Sequence, residues 1–296
     1  MRENGGVTSA SPRPWTSASP TLPTRLIATD LDGTLLRDDK SVSPRTVAAL
    51  AAAEAAGIAV FFVTGRPARW MDVVSAVLHG HGTAICGNGA AVVDLHGGPT
   101  APRFLTVREL AAPLALGVVE TLRKVAPGSS FAVERTGGLH HEAAYPPLQL
   151  DLAESVAPAE KLLAPGTDAA DQPVLKLLAH HPGLAPDVFL ALARAAVGED
   201  RANITRSSPT ALLEISGPGV SKASTLELCC AEQGISPAEV VAFGDMPNDI
   251  EMLDWAGTSY AMGNAHPDVL AAASHLTTGN NDDGVATVIE RILAER

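Results

Sequence analysis

Arg25-Leu26-Ile27-Ala28-Thr29-Asp30-Leu31-Asp32-Gly33-Thr34-Leu35 is an apolar run that stops at two carboxylates. Leu26, Ile27 and Ala28 form a short buried-strand signal without helical period, and Gly33 marks a turn directly after it. Asp30 and Asp32 are therefore expected at the carboxyl end of a strand, where open α/β sheets bind their ligands. Side chains two apart on an extended segment face the same way, so both carboxylates can reach one ion or one substrate. The competing reading is a polar turn in which Asp stabilises its own backbone.

Later segments repeat the theme. Ser43-Pro44 resembles an N-cap followed by a first-turn proline, and an Ala-rich helix ends at Gly57. Ile58 to Val63 is a continuous apolar run suited to a strand covered on both faces, and it ends in Thr64-Gly65-Arg66. A right-handed crossover places Thr64 on the same sheet edge as Asp30. A helix from Pro67 to Leu78 and a strand at Thr83–Cys86 follow, broken by Gly87-Asn88-Gly89. From Ala90 to Asn203 short strand candidates (104–106, 130–134, 174–179) alternate with helices near 107–125 and 186–197. That stretch reads as an inserted α+β domain. Core-type alternation is expected to resume with Ala211–Ile215 and to continue through a helix at 223–233 and a strand at 240–243. Gly244-Asp245-Met246-Pro247-Asn248-Asp249 closes that strand, and Pro247 suits the first position of a helix carrying Asn248 and Asp249 in its first turn. Strands at 259–262 and 275–277 and a helix at 283–295 complete the pattern.

Composition bounds the function. The 296 residues suggest about two domains. A formal net charge of −12 argues against a nucleic-acid or anionic-membrane binder. Cys86, Cys229 and Cys230 form no disulfide framework or metal spacing, which favours reduced thiols and a cytoplasmic location. No apolar stretch has bilayer-spanning length. Met1 to Thr24, rich in Ser, Thr and Pro, reads as a disordered extension rather than a secretory signal. Oligomeric state is not legible; a monomer or weak homodimer suits the composition.

If Asp30, Asp32, Asp245 and Asp249 converge, about four negative charges share a small volume, and some would protonate unless cations intervene. A divalent ion with Lys222 meets that need, and an all-oxygen ligand set suits Mg²⁺ rather than zinc or iron. Thr64 and Lys222 alone read as a cap and a solvated lysine. Placed after strands that also carry carboxylates, they become phosphate contacts. His140/His141 and His180/His181 lack metal-site spacing.

With these clusters in this order, the sequence resembles the haloacid dehalogenase-like phosphatases, and within them the Cof-type sugar-phosphatase branch. The matching stretches are Asp30–Thr34, Thr64–Arg66, Asn88–Ala90, Gly219–Lys222 and Gly244-Asp245 to Asn248-Asp249. The resemblance implies an α/β fold: a Rossmannoid parallel-sheet core, residues 25–89 and 204–296, with an inserted α/β cap at 90–203. It implies Asp30 as nucleophile forming an aspartyl-phosphate, and Asp32 as acid and then base. Asp32 would have to be protonated in the first step, and a neighbouring carboxylate is expected to raise its proton affinity. Asp30, the backbone carbonyl of Asp32, Asp245 and Asp249 would hold Mg²⁺, the last directly or through water. Thr64, Gly65, Lys222 and Asn248 would bind the phosphoryl group. Ala223, where the family usually has Gly, and Met246-Pro247, in place of a small or polar pair, depart from the pattern without removing a ligand. The expected function is hydrolysis of a small phosphorylated metabolite, a sugar phosphate or related phosphomonoester. The alternatives are a phosphomutase and a non-catalytic phosphate-sensing module. Arg135, His140, Tyr145 and Lys176 in the cap, with Arg66 and Trp70 in the core, stand open between substrate contact and ordinary surface or packing roles.

Overall fold

The computed structural model describes residues 23–77, 82–96, 103–147, 153–167, 169–208 and 210–296. Most of the expected N-terminal extension, and Leu78 at the end of the second expected helix, lie outside these residues. Thr24, assigned to that extension, is buried, and its carbonyl accepts from Arg296 Nη2 at 2.6 Å.

The chain begins with β1 (Leu26–Thr29), α1 (Pro44–Ala55) and β2 (Ala59–Val63). Every residue of β1 and β2 is buried, as parallel strands covered on both faces require. Ser43 caps α1 by accepting the Thr46 N–H at 3.0 Å, with Pro44 in the first turn. The helix expected from Pro67 onward is a 3₁₀ segment, Ala68–Val77, kinked at Trp70. Arg66 Nη1 reaches the Trp70 carbonyl at 3.4 Å, a bond that competes with a regular helical ladder. Next come β3 (Thr83–Cys86), β4 (Ala91–Asp94) and β5 (Arg103–Val107).

The middle of the chain holds α2 (Ala112–Val125), β6 (Ser130–Arg135), β7 (Gly138–His141), β8 (Ser155–Val156) and α3 (Ala159–Leu162), then β9 (Val174–His180), α4 (Pro186–Val197), β10 (Asn203–Thr205) and β11 (Leu212–Ser216). The chain then returns through α5 (Lys222–Glu232), β12 (Val240–Gly244), α6 (Ile250–Trp255), β13 (Thr258–Ala261), α7 (Pro267–Ala272), β14 (His275–Leu276) and α8 (Gly284–Ala294).

Two sheets result. The eight-stranded one runs β14-β13-β12-β1-β2-β3-β4-β5, parallel from β14 to β3 and antiparallel at β4 and β5. The six-stranded one runs β10-β11-β9-β6-β7-β8. Strand membership thus departs from the expected boundaries at 89/90 and 203/204. β4 and β5 extend the first sheet, and β10 and β11 belong to the second, where β11 pairs antiparallel with β9. The apolar run 211–215 is equally buried in either sheet, so its composition could not reveal which one it joins.

In the second sheet, Phe131, Val133, Leu177, Ala179, Leu213 and Ile215 pack with α2 and α4. The alternating residues Glu134, Lys176, Leu178, Leu212 and Glu214 point to the opposite face, toward the first sheet. Two chain crossings join the sheets, and Arg108 ties them: its guanidinium donates to Ser224 Oγ, Thr225 Oγ1 and the Gly219 carbonyl at 2.6–2.9 Å.

Gly89 packs tightly against the start of α5. Its φ is +101°, and an added Cβ would lie 2.2 Å from the Ser221 carbonyl oxygen. Gly89→Ala should therefore destabilise the fold by at least about 1–3 kcal/mol. Urea unfolding measures this, and an unchanged midpoint would show that the contact relaxes freely.

Candidate active site

The carboxyl edge of the parallel strands gathers the charged residues. Asp30 stands one residue past β1, its N–H donating to the Phe243 carbonyl of β12 at 3.1 Å. Lys222 opens α5, whose N-cap Ser221 and residue Ser224 form a reciprocal capping box. Its buried ammonium donates to Asp30 Oδ1 and to Asp249 Oδ1, both at 2.6 Å. Asp249 Oδ2 in turn accepts the backbone N–H groups of Asp245 and Met246, each at 3.0 Å. Pro247 occupies the first position of the short helical turn that carries Asn248 and Asp249. Thr34 Oγ1 donates to Asp245 Oδ1 at 3.0 Å. Gly33, at φ +78°, lets Asp245 come close, because a Cβ there would lie 2.2 Å from Asp245 Oδ2.

Crowding shows in the proton affinities. Burial, helped by Asp249 and Asp245 and opposed by Lys222, pushes the Asp30 carboxyl well above its ordinary value of 3.8. Burial and Asp249 push Asp245 up to about 7. Burial disfavours the charged form of Lys222, but Asp249 and Asp30 outweigh it and raise the ammonium's pKa above its usual value. One carboxylate oxygen each from Asp30, Asp245 and Asp249 lie within 4.8 Å of one another. This hard, all-oxygen donor set, short of positive charge, fits a Mg²⁺-type cation.

Asp32 behaves differently from expectation. Its carboxylate is forked by Arg66, with Nε to Oδ2 at 2.6 Å and Nη2 to Oδ1 at 2.7 Å, and also accepts Lys40 Nζ at 2.9 Å. Burial alone would raise its pKa, but these two cations outweigh burial and pull it down to about 2. The two cations, rather than a carboxylate neighbour, decide its proton affinity, the reverse of the expected direction. The guanidinium that reverses the sign lies 34 positions away in the chain.

Asp30, Asp32, Thr64, Gly65, Asn248 and Met246 line one cleft of about 390 Å³, with Lys176, Leu178, Leu212 and Glu214 as its roof. The roof meets the floor through polar contacts. Lys176 Nζ donates to the Gly65 carbonyl at 2.8 Å and to Glu214 Oε2 at 2.6 Å. Asn88 Nδ2 donates to the same Glu214 oxygen at 2.7 Å, and Asn88 Oδ1 accepts Asn248 Nδ2 at 3.0 Å. Asn88 adopts φ +57°, a left-handed conformation that Asn tolerates better than most residues. Burial raises the pKa of Glu214, but Lys176 prevails and holds it below its ordinary value.

Of the positions left open by the sequence, Lys176, Arg66 and Trp70 line the cleft. Arg135 instead donates to the carbonyls of Gln172 and Leu162, and His140 Nδ1 pairs with Ser155 Oγ. Tyr145 packs with Ala132, Leu139 and Leu178. Asn88, Glu214 and Lys40 were not singled out as site residues. Glu214 carried a usable signal, as a charge embedded in the apolar run Leu212–Ile215.

The haloacid dehalogenase-like hydrolase family matches residues 27–289. The pyridoxal phosphate phosphatase YbhA of Escherichia coli is 31% identical over 280 residues, covering 90% of this chain and 97% of its own. The 5-amino-6-(5-phospho-D-ribitylamino)uracil phosphatase YcsE of Bacillus subtilis is 29% identical over 265 residues, covering 90% and 94%. The phosphatase BT1666 of Bacteroides thetaiotaomicron shares the fold with a TM-score of 0.75 at 22% identity, covering 95% and 99%. The chain belongs to the haloacid dehalogenase-like hydrolases, in their Cof-type branch, and is a phosphoric monoester hydrolase. No helix among the described residues is long and apolar enough to cross a membrane.

Asp245 binds its proton more tightly in the folded chain than in the unfolded one. Metal-free protein should therefore lose stability as pH rises from about 4 to about 7. A bound divalent cation removes that penalty, so saturating Mg²⁺ should raise Tm more at about pH 7.5 than at about pH 5. Thermal unfolding with and without Mg²⁺ checks this; an equal shift at both pH values contradicts it.

Proposed function

We propose that the chain is a Mg²⁺-dependent phosphomonoesterase that works through an aspartyl-phosphate on Asp30. The observation that carries this reading is the Lys222 ammonium, held at 2.6 Å from both Asp30 and Asp249 beside the Asp245 carboxylate. Phosphoryl transfer needs positioning and neutralised oxygens more than elaborate covalent chemistry.

In the first step an Asp30 oxygen attacks phosphorus, the ester P–O bond breaks, and Asp32 gives a proton to the leaving oxygen. In the second, Asp32 takes a proton from water, which attacks phosphorus and frees Asp30 and inorganic phosphate. Lys222 steers Asp30 and shares the phosphoryl charge with Thr64, Asn248 and the Gly65 backbone. Asp30, the Asp32 carbonyl, Asp245 and, directly or through water, Asp249 would hold a Mg²⁺, which would supply the further positive charge that those oxygens need. The Arg66 and Lys40 hold on Asp32 must slacken before it can carry a proton. A dianionic phosphomonoester gives both cations another partner and supports that exchange. The substrate is a sugar phosphate or related phosphomonoester, and YbhA and YcsE are named for small phosphomonoesters too.

Asp30→Asn should lower phosphate release from phenyl phosphate by at least about a thousandfold. Chelation of Mg²⁺ should abolish release in the unaltered protein. A folded Asp30→Asn variant with full activity removes Asp30 as nucleophile, and a product in which phosphate has moved rather than left reassigns the reaction to a mutase.

A further inference from the structure

The roof of the cleft is polar at one end and apolar at the other. Lys176 and Glu214 are each about nineteen-twentieths buried, at 4% exposure, and form a 2.6 Å ion pair facing the floor. Both Glu214 oxygens are occupied: Oε2 by Lys176 and Asn88, Oε1 by the Ser207 hydroxyl. Lys176 is not saturated. An ammonium has three N–H donors, and those of Lys176 find two hydrogen-bond partners among the described residues, the Gly65 carbonyl and Glu214.

The contact with Gly65 fixes where the spare donor sits. Gly65 follows Thr64 on the floor, so the ammonium lies toward the end of the cleft where the phosphoryl group is proposed to dock. Two residues along the same strand, about 7 Å away on the same face, the roof turns apolar. Leu178 and Leu212 line the cleft there, backed by Ala132, Leu139 and Tyr145, with Trp70 on the cleft wall.

We propose that Lys176 is the specificity-determining residue of this cleft. Its third N–H takes an oxygen acceptor close to the ester carbon of the leaving group, and the Leu178–Leu212 surface takes a flat, apolar body beyond that oxygen. The substrate class is then a phosphomonoester with a hydroxyl or carbonyl next to its phosphorylated carbon and a ring-like remainder. This assignment rests on the phosphatase reading above and adds to it the choice of leaving group.

The test compares two esters that differ by one oxygen, 2-hydroxyphenyl phosphate and phenyl phosphate, with Mg²⁺ present. Unaltered protein should favour the hydroxylated ester in kcat/KM by about tenfold or more. Lys176→Met should collapse the preference, its loss on 2-hydroxyphenyl phosphate exceeding that on phenyl phosphate by about the same factor. Should Lys176→Met fail to fold because Glu214 is left without its cation, Lys176→Met with Glu214→Gln removes both charges and carries the same comparison. Equal turnover of the two esters by the unaltered protein, or a preference that survives in the folded variant, overturns the assignment while leaving the phosphatase reading intact. Failure to hydrolyse either ester overturns both.

Discussion

A single buried ammonium holds the two ends of this chain together. Lys222 sits between a carboxylate from the first strand and one from a helical turn more than two hundred residues later. Charges without solvent are costly unless paired, and removing one partner of such a group typically costs about 3–5 kcal/mol. Lys222, Asp30 and Asp249 therefore specify one another's positions. The order of strands β12, β1 and β2 follows the same requirement, because only adjacent parallel strands ending at one edge can deliver these side chains to a common point.

Around that point the acids Asp30, Asp32, Asp245, Asp249 and Glu214 outnumber the bases Lys40, Arg66, Lys176 and Lys222. An arriving phosphate would deepen the imbalance. The cleft meets this in two ways. Its three closest carboxylates offer a cation an all-oxygen donor set, and two of its basic side chains rest on a carboxylate that a phosphate could replace. These are Arg66 and Lys40, both held by Asp32. In this resting arrangement the acid proposed to protonate the leaving group is kept as its anion.

How much of this is readable in one dimension depends on distance along the chain. Asp30 and Asp32 announced themselves because a buried apolar run ended in them, and Pro247 placed Asn248 and Asp249 correctly at a helix start. The sheet that β11 joins was hidden, since β11 enters it by pairing with β9, more than thirty residues earlier, and its composition suits either sheet. The proton affinity of Asp32 was misread for a related reason: adjacent residues set its position, but a side chain from the next strand's loop sets its charge. Lys176 and Glu214 lie between these cases. Each is a charge within an apolar strand, and only the pairing of β9 with β11 brings them into contact.

The hydrogen bond from Lys176 to the Gly65 carbonyl has one more consequence. It ties the upper sheet to the loop that follows Thr64, so the two halves of the molecule share a polar partner where a ligand would enter. Thermodynamic reciprocity then makes shutting and filling a single equilibrium: whatever free energy a guest gains from a closed roof, the roof gains equally from the guest.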